Sequence, residues 1–225
     1  MDKVKTIIIS VLATVIVVFG GLYLLGSQSE KKTPPPPAAA PTAVTPTTPS
    51  PATSAPTEKP SAAALALTQT FDDAKAGYVM QYPADWIYEK PDKSATTVIF
   101  SGKQGTPAYR ATLNIQNLLT TQAGGKYADI AAVVKDLKQQ LTGGGAVFAG
   151  EQALTYTTQK GQQLQGAQFL VEYTLKGEKF RQWQVVIPNP DGKYLHALAY
   201  TAPADLYADY EATAQAMIQS WKMKE

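Results

Sequence analysis

The sequence contains no cysteine, a single histidine and only two arginines among 225 residues. Without cysteine there is no disulfide, no thiol nucleophile and no thiolate-ligated zinc or iron–sulfur site, so a domain exported from a cell must be held together by packing. With His196 as the lone imidazole, metal sites built on two histidines are excluded, H-E-x-x-H among them. A Ser-His-Asp triad would have to run through His196, yet no G-x-S-x-G elbow precedes a helix anywhere in the chain.

Charge excess is also missing where it would matter. The formal net charge of +2 comes from the N-terminal segment, where Lys3, Lys5, Lys31, Lys32 and Lys59 face Asp2, Glu30 and Glu58. From Phe71 onward there are 15 basic and 15 acidic residues, and only Arg110 and Arg181 carry guanidinium. A neutral domain of this kind has no electrostatic footprint for nucleic acid.

What is present divides the chain unevenly. After a short tail of residues 1–6, the run "IIISVLATVIVVFGGLYLL" from Ile7 to Leu25 holds no charge. At ~1.5 Å per residue it nearly matches a hydrocarbon core of ~30 Å, so residues 7–25 read as a single transmembrane helix. The alternative is a cleaved signal peptide, but its apolar region is typically about 7 to 15 residues and ends at small residues. Here the run ends in "LYLLGSQSE", and Ser27 stands where the lipid-modified cysteine of a bacterial lipobox would be. Lysines flank the span on both sides and leave orientation undecided by charge. The expectation is a short tail inside and a single-pass protein of the cell membrane with its C-terminal domain extracytoplasmic.

Residues 26–68 form a Pro/Ala/Thr-rich linker with almost nothing to bury, an expected disordered spacer of polyproline II character. The other readings of this segment are a proline-rich ligand for SH3-like domains and a glycosylated stalk.

Residues 69–225 have the composition of a folded domain. Short alternating runs predict strands at Tyr78–Tyr82, Trp86–Glu89, Thr96–Phe100, Tyr109–Asn117, Ala146–Thr157, Ala167–Lys176, Lys179–Ile187 and Lys193–Thr201. "KGEK" and "NPDGK" supply the turn residues for antiparallel hairpins. Trp183, Val185 and Ile187 alternate with Val186, and Phe169, Val171 and Tyr173 alternate with Leu170, so both faces of the sheet need cover. Two amphipathic helices can provide it. One carries the stripe Tyr127, Ile130, Val134, Leu137 and Leu141 and stops at the glycines after Thr142; the other carries Leu206, Tyr207, Tyr210, Ala214, Met217, Ile218 and Trp221, with Pro203 in its first turn. The fold class expected is α+β: an α/β/α sandwich on a central, mainly antiparallel sheet of about six to eight strands.

Several local strings carry a resemblance. "YPADW" at Tyr82–Trp86, "TTVIFSG" at Thr96–Gly102, "AYTAPADLYADY" leading into the last helix and "QSW" at its end resemble the PsbP/Mog1-like superfamily over Phe71–Lys222. The resemblance implies an α/β/α sandwich and non-enzymatic work as an assembly factor, adaptor or accessory subunit, and it transfers no catalytic constellation. An anchor and tether in place of a transit peptide set the chain apart from the photosynthetic members.

Each candidate residue has a plainer reading. Tyr78, Met80, Tyr82 and Trp86 read as an aromatic hairpin corner belonging to the core, and His196 as a packed, hydrogen-bonded side chain. Asp72 with Asp73 and Asp205 with Asp209 are the closest carboxylate pairs for Ca²⁺ or Mn²⁺, yet no EF-hand loop surrounds them. "TGGGA" at Thr142–Ala146 follows a helix and so reads as a stop. "QAGGKY" at Gln122–Tyr127 precedes one but lacks the G-K-[ST] of a P-loop. No catalytic, cofactor or metal residue is assigned, and no cofactor is expected. The expected partners are the membrane and a protein of unknown identity, met through loops and a sheet edge. The alternative is a lipid or small apolar ligand in a gap lined by Trp183, Tyr173 and Tyr200.

Overall fold

The computed structural model describes residues 62–91, 96–142 and 145–224. The expected membrane helix at 7–25 and most of the expected linker lie outside the described residues. Among the described residues no helix is long and apolar enough to cross a membrane.

The strands are β1 (Leu67–Asp73), β2 (Tyr78–Pro83), β3 (Trp86–Glu89), β4 (Thr97–Gly102), β5 (Thr112–Leu119), β6 (Val147–Thr157), β7 (Gln163–Leu175), β8 (Glu178–Pro188), β9 (Tyr194–Pro203) and β10 (Lys222–Met223). Helix α1 spans Ile130–Thr142 between β5 and β6, and α2 spans Tyr207–Gln219 between β9 and β10. Seven strands form one sheet in the order β3-β4-β5-β9-β8-β7-β6, and β1-β2-β10 form a second, smaller sheet. All the paired strands are antiparallel.

Period-2 alternation sorts the large sheet into two faces. Leu113 and Ile115, Val185 and Ile187, and Leu198 and Tyr200 point to α2 and the small sheet, joining Tyr78, Met80, Met217 and Trp221. Phe169, Val171, Tyr173, Val186, Leu195 and Ala197 point the other way, against Val133, Val134, Leu137 and Leu141 of α1. Both faces are covered, as the two-sided apolar strands require.

Four expectations need correction. The stretch from Tyr78 to Trp86 is not a hairpin: β2 pairs with β1 and β10, whereas β3 pairs with β4. Pro83, which cannot donate to a ladder, ends β2, and the chain changes sheets over two turn residues. Tyr127 packs with α1 but precedes it, its backbone forming a lone bridge to Thr120. Pro203 closes β9 opposite Phe180 instead of opening α2, which starts at Tyr207 with Asp209 in its first turn. The strand expected from Tyr109 starts at Thr112, after a 3₁₀ turn at Pro107–Arg110.

β1 went unpredicted because its outward residues are polar; only Phe71 and Asp73 are buried. Just before it, the chain already rests on α2: Ala62 N–H donates to Ala208 O at 3.1 Å, and Leu65 N–H to Thr213 Oγ1 at 3.0 Å.

Candidate interaction surface

The two edges of the large sheet differ. β3 is a four-residue edge, whereas β6 is an 11-residue strand lying outermost beside β7. Natural edges are usually blunted by shortness, lysine, proline or a bulge, because unpaired N–H and C=O groups invite another strand. β6 contains no proline and one charged residue, Glu151, which is paired with Lys138 of α1. Its one blunting device is a bulge: Ala149 faces Leu170 and Gln152 faces Gln168, three steps against two. Gly150 takes φ 63° there, a conformation glycine adopts freely.

The extra residue inverts the alternation. Phe148 packs on the α1 side, whereas Leu154 and Tyr156 pack on the α2 side. Tyr156 Oη donates to the Trp221 carbonyl at 2.9 Å, which fastens the far half of β6 to the C-terminal segment. Ala153, Thr155 and Thr157 are left exposed on the α1 side. Beside them a trench of about 640 Å³ runs between α1 and the β6–β7 pair, with Ile130 and Val134 on one wall and Gly166 and Ala167 on the other.

His196 lies where the two sheets meet. It is 0% exposed, with Tyr78 and Trp221 edge-on to its ring at 5.5 and 5.1 Å. Tyr78 and Trp221 themselves stack at 3.8 Å. Asn189 Oδ1 accepts the Asp191 N–H at 3.2 Å, which turns its Nδ2 toward His196 Nε2 at 3.5 Å. Nε2 is then the acceptor, and Nδ1–H donates to Asn117 Oδ1 at 2.9 Å. Burial pushes the imidazole pKa down to about 4, against weaker opposing pulls from Asp191 and Asp73. A neutral ring with both nitrogens engaged inside the core is a packing element, as its strand context led one to expect.

Trp86 is 2% exposed and lies 6.4 Å from the Tyr210 ring. Asp73 accepts the Ala76 N–H at 3.0 Å and meets Lys90 at 3.4 Å, while Asp72 pairs with Lys224. Asp205 is exposed in the turn before α2. In the Gln122–Tyr127 loop, Lys126 Nζ and Tyr127 Oη both donate to Asp136 Oδ2, at 2.8 and 2.5 Å. Among the described residues no group of three or more His, Asp or Glu side chains is placed to hold a metal ion.

The gap expected between Trp183, Tyr173 and Tyr200 does not exist as one space. Trp183 and Tyr200 are cross-strand partners on the α2 face, whereas Tyr173 stacks on Phe180 on the α1 face, across the sheet. Phase within a strand is readable from sequence, but the relative phase of β7 and β8 depends on their register.

No family model matches the chain, and no curated protein matches it. Solved structures do. Cyanobacterial PsbP from Synechocystis sp. PCC 6803 is 16% identical, with 69% of this chain and 91% of that one covered and a TM-score of 0.48. The Saccharomyces cerevisiae Ran-binding protein Mog1p is 12% identical over 70% of this chain and 96% of that one, with a TM-score of 0.43. LpqN, involved in cell envelope biogenesis of Mycobacterium tuberculosis, is 17% identical over 70% and 91%, with a TM-score of 0.43. The chain spans half the length of a Bacteroides thetaiotaomicron structure that it also matches.

Proposed function

We propose that this chain is a membrane-tethered, extracytoplasmic, non-enzymatic interaction domain that binds a protein partner through the open edge of β6. Residues 7–25 anchor it, the Pro/Ala/Thr-rich linker before the docked Ala62 holds it off the bilayer, and the domain that follows makes the contact. The single observation supporting the edge is the length and low charge of β6. A partner segment that adds to it gains main-chain hydrogen bonds, and the side chains flanking the edge supply selectivity.

The test introduces one cysteine into the cysteine-free chain at Thr155, carries a photo-crosslinker on it, and compares it in native membranes with the same probe at Gly105. A discrete protein adduct from position 155, absent from 105 and suppressed by Ala153→Lys and Thr157→Lys, is expected. These exposed substitutions leave the β6–β7 ladder intact and charge its surface. An adduct insensitive to both lysines, or none, would sink the reading.

A second reading, a lipid or small apolar ligand, draws on the trench beside α1, whose volume suits such a molecule. Native mass spectrometry of gently purified chain reads it directly: a bound mass lost on Val134→Asp supports it, and bare protein alone rejects it.

A further inference from the structure

Strands β5, β9 and β8 lie side by side at the centre of the large sheet. Leu113 and Ile115, Leu198 and Tyr200, and Val185 point from them into the α2 core. By alternation, Asn114 and Gln116 of β5, Ala199 and Thr201 of β9, and Gln182 and Gln184 of β8 point to the opposite face, the one α1 packs on. In the ladder Ala199 lies between Asn114 and Gln184, and Thr201 lies beside Gln182. The result is a trough. Its floor is the small side chains of β9, and its walls are the longer amides of β5 and β8, two strand spacings or ~9.5 Å apart. Ala197 joins the α1 core and ends the trough on one side. On the other, the Arg110–Glu178 ion pair joins the segment before β5 to the start of β8.

This face is polar where a sandwich interior is ordinarily apolar. Gln182 and Thr201 are each 2% exposed and Asn114 7%. Yet Asn114 Oδ1, Gln116 Oε1, Gln182 Oε1 and Thr201 Oγ1, all shielded from solvent, make no hydrogen bond among the described residues. Buried polar atoms in folded proteins are nearly always paired, because an unpaired one loses its water without compensation. Four such oxygens on three adjacent strands therefore call for donors from outside the fold. Ala199 is only half-buried although two longer side chains flank it, which marks the place where the trough opens.

We propose that this trough binds an uncharged, hydroxyl-rich ligand of the saccharide class. The unpaired atoms are acceptors, and a hydroxyl both donates to an amide oxygen and accepts from the amide N–H beside it. The walls and floor carry amide, hydroxyl and methyl groups and no charge, so nothing in them favours an ionic ligand. The Ala199 methyl, and on the same face the Phe180 ring stacked on Tyr173 at 5.7 Å, offer apolar surface to the C–H faces of a sugar ring.

Saturation-transfer NMR on the full chain, in a zwitterionic detergent without sugar headgroups, tests this with maltotriose and triacetylchitotriose as probes. At least one of the two should bind. Ala199→Leu, which raises the floor, and Gln182→Leu, which removes a wall amide, should each weaken that binding at least tenfold, while Gln165→Leu in the trench beside α1 should leave it unchanged. Gln182→Leu should also raise the melting temperature, since it replaces an unpaired buried amide by an apolar side chain of similar size. Lost binding in a variant of raised melting temperature supports the proposal and separates it from misfolding. Binding of neither saccharide, binding insensitive to Ala199→Leu, or equal weakening by Gln165→Leu overturns it. A melting temperature lowered by Gln182→Leu overturns it too, because the oxygens would then already be paired through bound water.

Discussion

Protonating His196 should destabilise this domain from within. The folded ring has a pKa of about 4, against an ordinary value of 6.5, because burial disfavours the cation. Below pH 6.5 the unfolded chain takes up a proton that the folded chain refuses. The stability contributed by the neutral ring is therefore complete above 6.5, declines as pH falls, and is exhausted below about 4. The gap, at roughly 1.4 kcal/mol per pH unit, is worth about 3 kcal/mol. Geometry gives the same sign: a proton on Nε2 would point at Asn189 Nδ2, a donor facing a donor at 3.5 Å. Asp73 and Asp191 favour the cation and reduce the effect, while Tyr78, Tyr194 and Trp221 enclose the ring.

Urea denaturation of residues 62–225, followed by tryptophan fluorescence between pH 4 and 7.5, measures it. His196→Gln removes the titrating group, so its stability relative to wild type should improve by about 3 kcal/mol from pH 7 to pH 4, whatever constant cost the substitution carries. As the only histidine, His196 also gives an unambiguous NMR titration. A midpoint near 6.5, or a difference between the two proteins that does not change with pH, would refute the reasoning.

Three further outcomes follow from packing. Trp221→Ala removes a 2%-exposed ring stacked on Tyr78 and should cost about 3–5 kcal/mol in urea; Trp221→Phe should cost far less, since the buried Nε1–H makes no hydrogen bond among the described residues. Gly166→Ala should lower thermal stability by about 1–3 kcal/mol, because a Cβ there would sit 2.6 Å from the Val186 carbonyl oxygen, backbone that cannot step aside. Lys176→Asn should raise the melting temperature slightly, by about 0.5–1 kcal/mol of stability, since Lys176 holds φ 51° in a hairpin turn whose first position favours Asn.

The strands from β2 to β9 and both helices were legible because their apolar residues repeat every two or every three to four positions, a property each segment has by itself. The same local signal placed Trp86, Val134, Leu137, Met217 and His196 in the interior. It failed for β1, whose exposed Thr and Gln hide a strand held by pairing with β2. It failed again at Tyr78–Trp86, where nothing local distinguishes a hairpin corner from a chain passing between sheets.

The sequence alone determined the exclusions, since missing cysteine and a single histidine remove whole chemistries whatever the fold. It also determined which faces of each strand and helix are apolar. Only the tertiary structure decided which faces meet. It set Tyr173 across the sheet from Trp183 and Tyr200, and left β6 outermost with its alternation inverted by one extra residue. Those outcomes depend on strand order and register, which are fixed by closing long loops and burying two cores together, and no window of neighbouring residues contains that information.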